Sequence, residues 1–234
     1  FGGEATSYTV VAASGDSEGA LGDVSPRGDE PYTIVLDTAG EESAVVDLMF
    51  VIDTTGSMGD ELVYIQAELA DVLARVEEAS ADRLELRLSL VFYRDEGDEY
   101  VVRSFPFSED IDEVQGWLAA QSAAGGGDFP EAVHSALESA LDEHAWSNEA
   151  RARLLFLVLD APPHSESEVL ESVRGSAVSA AAMGVRIIGL SGSGIDKPTE
   201  FLMRMLGIVT GGTYTFLTNA SGIGGDHLEQ KPTI

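Results

Sequence analysis

One short segment combines a carboxylate with two hydroxyls at a spacing suited to a metal ion. The segment Asp53-Thr54-Thr55-Gly56-Ser57-Met58 follows an apolar run and places Asp53, Thr55 and Ser57 at alternate positions. In a tight loop this spacing lets all three side-chain oxygens face one point. Hard oxygen donors without soft ligands suit Mg²⁺, Mn²⁺ or Ca²⁺. The segment therefore predicts one wall of a divalent-cation site.

Two later segments offer oxygen ligands of the same kind. Asp128 follows the glycines Gly125-Gly126-Gly127, which allow close backbone approach, and Asp160 directly follows a second apolar run. Taken singly, each feature has a structural explanation, since Asp and Ser often cap helices and turns. The occurrence of all three loops in one order favours a common metal site.

The elements that must position these loops alternate along the chain. Short apolar strands alternate with helical stretches, which predicts an α/β fold with a doubly wound, mostly parallel sheet and helices on both faces. Ligands of such sheets bind beyond the carboxyl ends of the strands, where strand order reverses. The predicted strands are Val45–Ile52, Leu84–Phe92, Tyr100–Phe107, Leu154–Leu159, Val185–Leu190 and Thr213–Leu217. The predicted helices are Gly59–Glu78, Glu109–Gln121, Pro130–His144, Ser165–Met183 and Thr199–Val209.

Three regions are predicted along the chain. Residues 1–43 contain β-prone patches at Tyr8–Ala13 and Tyr32–Leu36 around a turn-rich Ser14–Pro31, and read as a lead-in or the tail of a small β domain. Residues 44–218 form the α/β domain, and residues 219–234 a loop-like tail. Because the chain starts at Phe1, we expect it to be part of a longer multidomain protein.

Composition excludes several classes of function. The 234 residues carry 41 acidic and 13 basic side chains, a formal net charge of −28, which disfavours nucleic acids and anionic membrane surfaces as partners. There is no cysteine, and therefore no thiolate ligand or nucleophile. No apolar run reaches the length of about 18 residues that a membrane-spanning helix needs, so no membrane insertion is expected. With 44% hydrophobic residues, the chain can still bury a large core.

The segment Asp53-x-Thr55-x-Ser57 after an apolar strand resembles the metal-ion-dependent adhesion site of von Willebrand factor type A domains. The resemblance covers about Val45 to Leu217. The stretches DTTGSM, YRDEGDEY, GGGDFPEA and DAPPH are similar to those of bacterial and hemicentin-type members. This resemblance implies a Rossmann-like six-stranded sheet in the order 3-2-1-4-5-6, with the metal at its top.

The resemblance also implies a role for each site residue. Thr55 and Ser57 would bind the metal through their hydroxyls, Asp53 directly or through water, and Asp128 and Asp160 from the other two loops. The expected ion is Mg²⁺, with Mn²⁺ or Ca²⁺ as alternatives. Asp128 stands where many relatives carry threonine, and a third aspartate should tighten metal retention. The residues expected at the ligand-binding rim are Thr54, Met58, Phe129 and His164.

The function expected from the resemblance is recognition without catalysis. A partner protein would present Asp or Glu from a neutral or basic patch and complete the metal's coordination. The alternative is an assembly subunit of an intracellular ATPase or chelatase-type complex. The β-like lead-in favours a secreted or cell-surface protein over a cytoplasmic one. No enzyme activity is expected, because no well-placed general base accompanies the motif.

The acidic stretch Asp95-Glu96-Gly97-Asp98-Glu99 lies between two predicted strands. A turn of this composition favours a solvated hairpin tip over a secondary Ca²⁺ site. We therefore expect these carboxylates to face water.

Overall fold

The computed structural model describes residues 7–14, 17–25, 32–34, 36, 43–80, 83–127, 129–192 and 194–216. The chain divides into two compact units, Phe1–Glu42 and Ser43–Ile234. Asp128, Leu217 and the predicted tail at 219–234 lie outside the described residues.

The first unit contains an antiparallel hairpin. Strand β1 spans Tyr8–Ser14 and strand β2 spans Ser17–Val24, with Val10 opposite Leu21 and Ala13 opposite Glu18. The second strand lies inside the stretch predicted to be turn-rich, so that prediction is wrong there. Its composition is poor in strand formers, and pairing with β1 supplies what local propensity lacks.

The second unit is built on a six-stranded sheet. Its strands are β3 (Val45–Asp53), β4 (Glu85–Tyr93), β5 (Val102–Ser108), β6 (Ala152–Leu159), β7 (Val185–Ser191) and β8 (Thr213–Phe216). The spatial order is β5-β4-β3-β6-β7-β8. Every neighbouring pair is parallel except β4 and β5, which are antiparallel. Counted from β3, this is the predicted 3-2-1-4-5-6 order, so the doubly wound α/β fold is confirmed.

Helices cover both faces of this sheet. They are α1 (Gly59–Ser80), α2 (Ile111–Ala119), α3 (Val133–Asp142), α4 (Ser167–Met183) and α5 (Lys197–Thr210). Apolar side chains of α1 and α2 pack with one face of the sheet, and those of α3, α4 and α5 pack with the other. Strand β3 lies between the two cores and is buried along almost its whole length, which explains its mainly apolar sequence. The exception inside the strand, Asp47, forms an ion pair with Arg87 of β4. None of the helices in the described residues is long and apolar enough to cross a bilayer.

The register brings the ends of the two central strands together. Ile52 of β3 pairs with Val158 of β6 in parallel, so Asp53 and Asp160 leave the sheet at the same edge. The strand order reverses at β3, because β4 and β6 lie on opposite sides of it. The loops after β3 and β6 therefore flank the crevice where such sheets bind ligands.

Candidate metal centre

The first element of the centre is a pair of buried side chains at the end of β3. Asp53 Oδ1 accepts hydrogen bonds from the Thr55 backbone N–H at 2.8 Å and from Thr55 Oγ1 at 2.7 Å. Both side chains are shielded from solvent. The other carboxylate oxygen, Asp53 Oδ2, is buried without a hydrogen-bond partner. The buried Tyr93 hydroxyl is near enough to lower the pKa of Asp53, but it makes no well-directed hydrogen bond to Oδ2.

Contacts between oxygen atoms continue from this pair to the loop after β6. Thr55 Oγ1 lies 3.4 Å from Ser57 Oγ, and Ser57 Oγ donates to Asp160 Oδ1 at 3.2 Å. The short 3-10 turn Gly56–Met58 places Ser57 on the exposed side. The structure therefore brings four of the five predicted metal-binding side chains together, and the fifth, Asp128, lies outside the described residues.

The glycine-rich loop packs directly against the Asp53 loop. Gly56 N–H donates to the Gly125 carbonyl at 3.2 Å, and both Gly125 and Gly126 have positive φ angles, 80° and 66°. A Cβ atom on Gly126 would lie 3.3 Å from Thr55 Cβ and 3.0 Å from Glu131 Oε1. Glycine is required at 126 both by the left-handed backbone and by the space.

The acidic turn between β4 and β5 folds onto this loop. Asp98 Oδ2 accepts from Gly126 N–H at 2.8 Å and from Asp95 N–H at 3.2 Å. Asp95 is buried, and its Oδ1 lies 2.7 Å from His164 Nε2. The prediction of a solvated tip is therefore wrong for Asp95 and Asp98. Turn composition does not show that Gly126 N–H bonds to Asp98 and that His164 contacts Asp95.

A buried arginine fixes the loops from behind. Arg94 Nε donates to the Thr54 carbonyl at 3.2 Å, and Arg94 Nη2 donates to the Ser122 carbonyl at 2.9 Å. Its guanidinium also lies over the Tyr100 ring, 4.5 Å from the centroid. Arg94 Nη1 also pairs with Glu99 Oε2 at 3.3 Å, so the guanidinium joins backbone carbonyls, an aromatic ring and one exposed carboxylate, and it positions the Asp53 loop.

Two residues predicted at the ligand-binding rim are in the interior. Thr54 Oγ1 donates to the Tyr93 carbonyl at 2.9 Å and lies 2.7 Å from Tyr100 Oη. Met58 is fully buried and belongs to the core under α1. Both rim assignments are wrong, because the bonds to Tyr93 and Tyr100 hold Thr54 inward and the 3-10 turn directs Met58 into the core. Phe129 is 51% exposed, and His164 is partly buried in its contact with Asp95.

Sequence reasoning missed one carboxylate of this region, that of Glu131. Its side chain is buried, and its Oε2 has no hydrogen-bond partner. Its backbone N–H donates to the Pro162 carbonyl at 2.9 Å, and Glu131 forms an isolated parallel bridge with Pro163. The sequence predicts a helix from Pro130 and assigns Glu131 no role in the site. In the structure α3 begins only at Val133.

Burial raises the pKa values of three carboxyl groups in this centre, those of Asp53, Asp160 and Glu131. Burial raises the pKa of Asp53 to about 7 and the nearby charge of Asp160 adds to it, while the hydrogen bonds from Thr55 oppose the rise. Burial likewise raises the pKa of Asp160, with the Ser57 hydrogen bond opposing it. Burial raises the pKa of Glu131 to about 8, and neighbouring carboxylates contribute further: Asp53, Asp95, Asp98 and Asp160.

Burial is the main cause of these raised pKa values, and no basic partner offsets it. Within the described parts of the chain, no basic side chain forms an ion pair with Asp53, Glu131 or Asp160. Such a group is stabilised either by protons or by a bound cation.

The donor atoms fit a hard divalent cation. All four side chains in contact offer oxygen, and Asp53 Oδ2 is a buried acceptor in need of a partner. No three carboxylate or imidazole groups among the described residues converge closely enough to hold an ion on their own. A cation held here would need the hydroxyls of Thr55 and Ser57 as ligands, and such a set would suit Mg²⁺, which combines few carboxylates with water.

Comparisons with known proteins agree with this fold. The sequence profile of the von Willebrand factor A domain family matches residues 47–188. A protein of Acanthamoeba polyphaga mimivirus, named as an ariadne-like RING finger protein, R811, is 30% identical over 132 residues. That match covers 56% of this chain but only 12% of the viral protein.

Two solved structures share the fold at low sequence identity. The conserved hypothetical protein BatB of Bacteroides thetaiotaomicron superposes with a TM-score of 0.52 and 13% identity, covering 75% of this chain and 93% of BatB. The pilus adhesin SpaC of Lactobacillus rhamnosus GG, in an open conformation, gives a TM-score of 0.59 and 12% identity, covering 77% of this chain and 29% of SpaC. At these identities the likeness concerns the fold alone.

Proposed function

Because the chain belongs to the von Willebrand factor A domain family, we propose that it is a non-enzymatic recognition module that binds a partner protein through a divalent cation. The cation, Mg²⁺ in our proposal, with Mn²⁺ or Ca²⁺ able to replace it, is held at the edge of the sheet where β3 and β6 end. The partner supplies a carboxylate oxygen.

The observation that carries the proposal is the continuous set of oxygen contacts from Asp53 to Asp160. It joins two loops far apart in sequence through Thr55 and Ser57. Buried carboxylates brought together without a counter-charge are costly, and proteins retain such arrangements mainly where a ligand balances them.

The residues have distinct roles in this proposal. The hydroxyls of Thr55 and Ser57 and the carboxylates of Asp53 and Asp160 would hold the ion. When bound, the ion supplies positive charge that attracts an anionic oxygen of the partner. Ser57 is the exposed member of the set, so the partner approaches from its side. Phe129, which is half exposed and follows the glycine-rich loop in sequence, offers an apolar contact for the partner.

The charge of the whole chain restricts the partner. A net charge of −28 repels acidic surfaces at long range, so the carboxylate must come from a neutral or basic patch. The fold shared with the pilus adhesin SpaC is compatible with a surface role. Placement at the cell surface or in the secreted fraction is part of this proposal and is tested by fractionation of the native host.

Titration of Mg²⁺ or Mn²⁺ into chelator-treated protein tests the metal site directly. We expect heat of binding and a raised thermal midpoint for the wild-type protein. Both should be lost in Asp53→Asn, and both retained in Asp112→Asn, which removes an exposed carboxylate from the first turn of α2. Absence of both signals in the wild-type protein would contradict the proposal.

A further inference from the structure

The side chain of Glu131 is buried, unlike that of an ordinary surface acid. It is 3% exposed, and its Oε2 atom is buried without a hydrogen-bond partner. Buried polar atoms are nearly always paired in folded proteins, and each exception calls for a missing partner such as water or an ion.

The carboxylate lies beside the residues assigned to the cation. Its Oε1 and the Thr55 side chain flank the same space at Gly126, where a Cβ would approach both. Carboxylates of Asp53 and Asp160 are near enough to contribute to the raised pKa of Glu131. Glu131 thus belongs spatially to the centre, although it is on none of the three predicted ligand positions.

Resting on the metal site proposed above, we propose that Glu131 is a further member of that site and accepts a hydrogen bond from water bound to the cation. In this position it strengthens retention of the ion.

Water-mediated contact fits better than direct ligation. In the described residues no three carboxylates converge as a chelating group, so Glu131 does not close a chelate with Asp53 and Asp160. Mg²⁺ keeps several of its waters when bound to proteins, and those waters need acceptors. Acceptors in this outer layer commonly change metal affinity by about 10-fold to 100-fold when they are removed.

A purely structural role would require the Glu131 side chain to make stabilising hydrogen bonds in the absence of an ion. The hydrogen bonds that the structure gives Glu131 are instead made by its backbone. Its N–H donates to the Pro162 carbonyl, and its carbonyl accepts from Val133 N–H at 2.8 Å. A change of side chain leaves both intact. Removing a buried, unbalanced carboxylate should then relieve the metal-free protein, not weaken it.

The test compares Glu131→Gln with wild type and with Glu96→Gln. The control removes the same charge from an exposed position in the neighbouring turn between β4 and β5. We expect Glu131→Gln to bind Mn²⁺ about 10-fold or more weakly, measured by calorimetry, and Glu96→Gln to change the affinity less than about twofold. In chelator, the thermal midpoint of Glu131→Gln should equal or exceed that of wild type. Glu131→Asp, which keeps the charge, should retain part of the affinity.

The outcomes separate this proposal from the one on which it rests. If wild type binds Mn²⁺ and Glu131→Gln binds it equally well, the role of Glu131 is refuted while the metal site stands. If Glu131→Gln lowers the midpoint in chelator, its side chain is a structural support and the proposal fails. If wild type binds no metal ion, both proposals fail together.

Discussion

Ser57 and Asp160 are 103 residues apart in sequence, and a hydrogen bond of 3.2 Å joins Ser57 Oγ to Asp160 Oδ1. This contact links the loop after β3 to the loop after β6, the two strands at which the sheet order reverses. The bond joins the hydroxyl of the exposed Ser57 to the carboxylate of the buried Asp160.

Ser57→Ala should weaken metal binding with little change in the stability of the metal-free protein. The variant removes one proposed ligand and the contacts of an exposed hydroxyl with Thr55 Oγ1 and Asp160 Oδ1, so we expect the metal-free free energy of unfolding to fall by about 1 kcal/mol. The rise in thermal midpoint produced by Mg²⁺ should shrink or disappear. Ser165→Ala, which alters an exposed serine after His164, should leave that rise unchanged. An undiminished metal response in Ser57→Ala would exclude its hydroxyl as a ligand.

Gly126→Ala should damage both the loop and the centre. Its φ of 66° is unfavourable for any residue with a side chain, and the new Cβ would crowd Thr55 and Glu131. We expect a loss of about 1–2 kcal/mol from the backbone alone, with weaker metal binding because Thr55 must shift. Gly127→Ala is the matched control, since no atom lies within 4 Å of a Cβ there. Equal denaturant midpoints for the two variants would contradict the steric argument.

Stability of the metal-free protein should decline as pH rises through the neutral range. The folded-state pKa values of Asp53 and Glu131, about 7 and about 8, lie above the values near 4 expected in the unfolded chain. The folded protein therefore holds protons that the unfolded chain has already released, so the free energy of unfolding falls between about pH 5 and pH 8.

Thermal unfolding in chelator at pH 5.5, 7 and 8 measures this decline. Saturating Mg²⁺ should reduce it, because the ion binds the ionised carboxylates and replaces the lost protons. Asp53→Asn should flatten the chelator series by removing one of the two groups. A wild-type midpoint that rises with pH in chelator would show that these carboxylates are not uncompensated.

Arg94→Met should destabilise the protein more than the equivalent change at Arg103. Both guanidinium groups lie over Tyr100, but Arg94 is buried and donates to two backbone carbonyls, whereas the Arg103 side chain is 39% exposed. Loss of the Arg94 donors should cost about 2 kcal/mol or more. Arg103→Met should cost less than about 1 kcal/mol. Chemical denaturation of the two variants in chelator gives the comparison, and similar costs would contradict the role assigned to Arg94.

The sheet and two of its ligand-bearing ends follow from sequence because their signals are local. Strands buried on both faces are mainly apolar, and an aspartate ends β3 and directly follows β6. The alternation of strands and helices then limits the topology to few choices. Asp53 and Asp160 could therefore be placed at one edge without any knowledge of contacts.

The errors concern residues whose direction depends on contacts distant in sequence. Thr54 and Met58 adjoin the predicted ligands, but a bond to the Tyr93 carbonyl holds Thr54 inside and a 3-10 turn places Met58 in the core. Asp98 accepts a hydrogen bond from the Gly126 backbone N–H, and Glu131 is positioned by an isolated β-bridge to Pro163. Neither pairing has a periodic or compositional signal, so both acids look like solvated ones.

The difference in exposure within the oxygen set bears on the order and lifetime of binding. Of the four described side chains, Ser57 is exposed while Asp53, Thr55 and Asp160 are shielded. An ion that reaches the buried oxygens from the Ser57 side would bind before the partner. A partner bound over Ser57 would then block release of the ion. We therefore expect a sequential mechanism in which the cation is first on and last off. Its exchange with solvent should slow while the complex lasts.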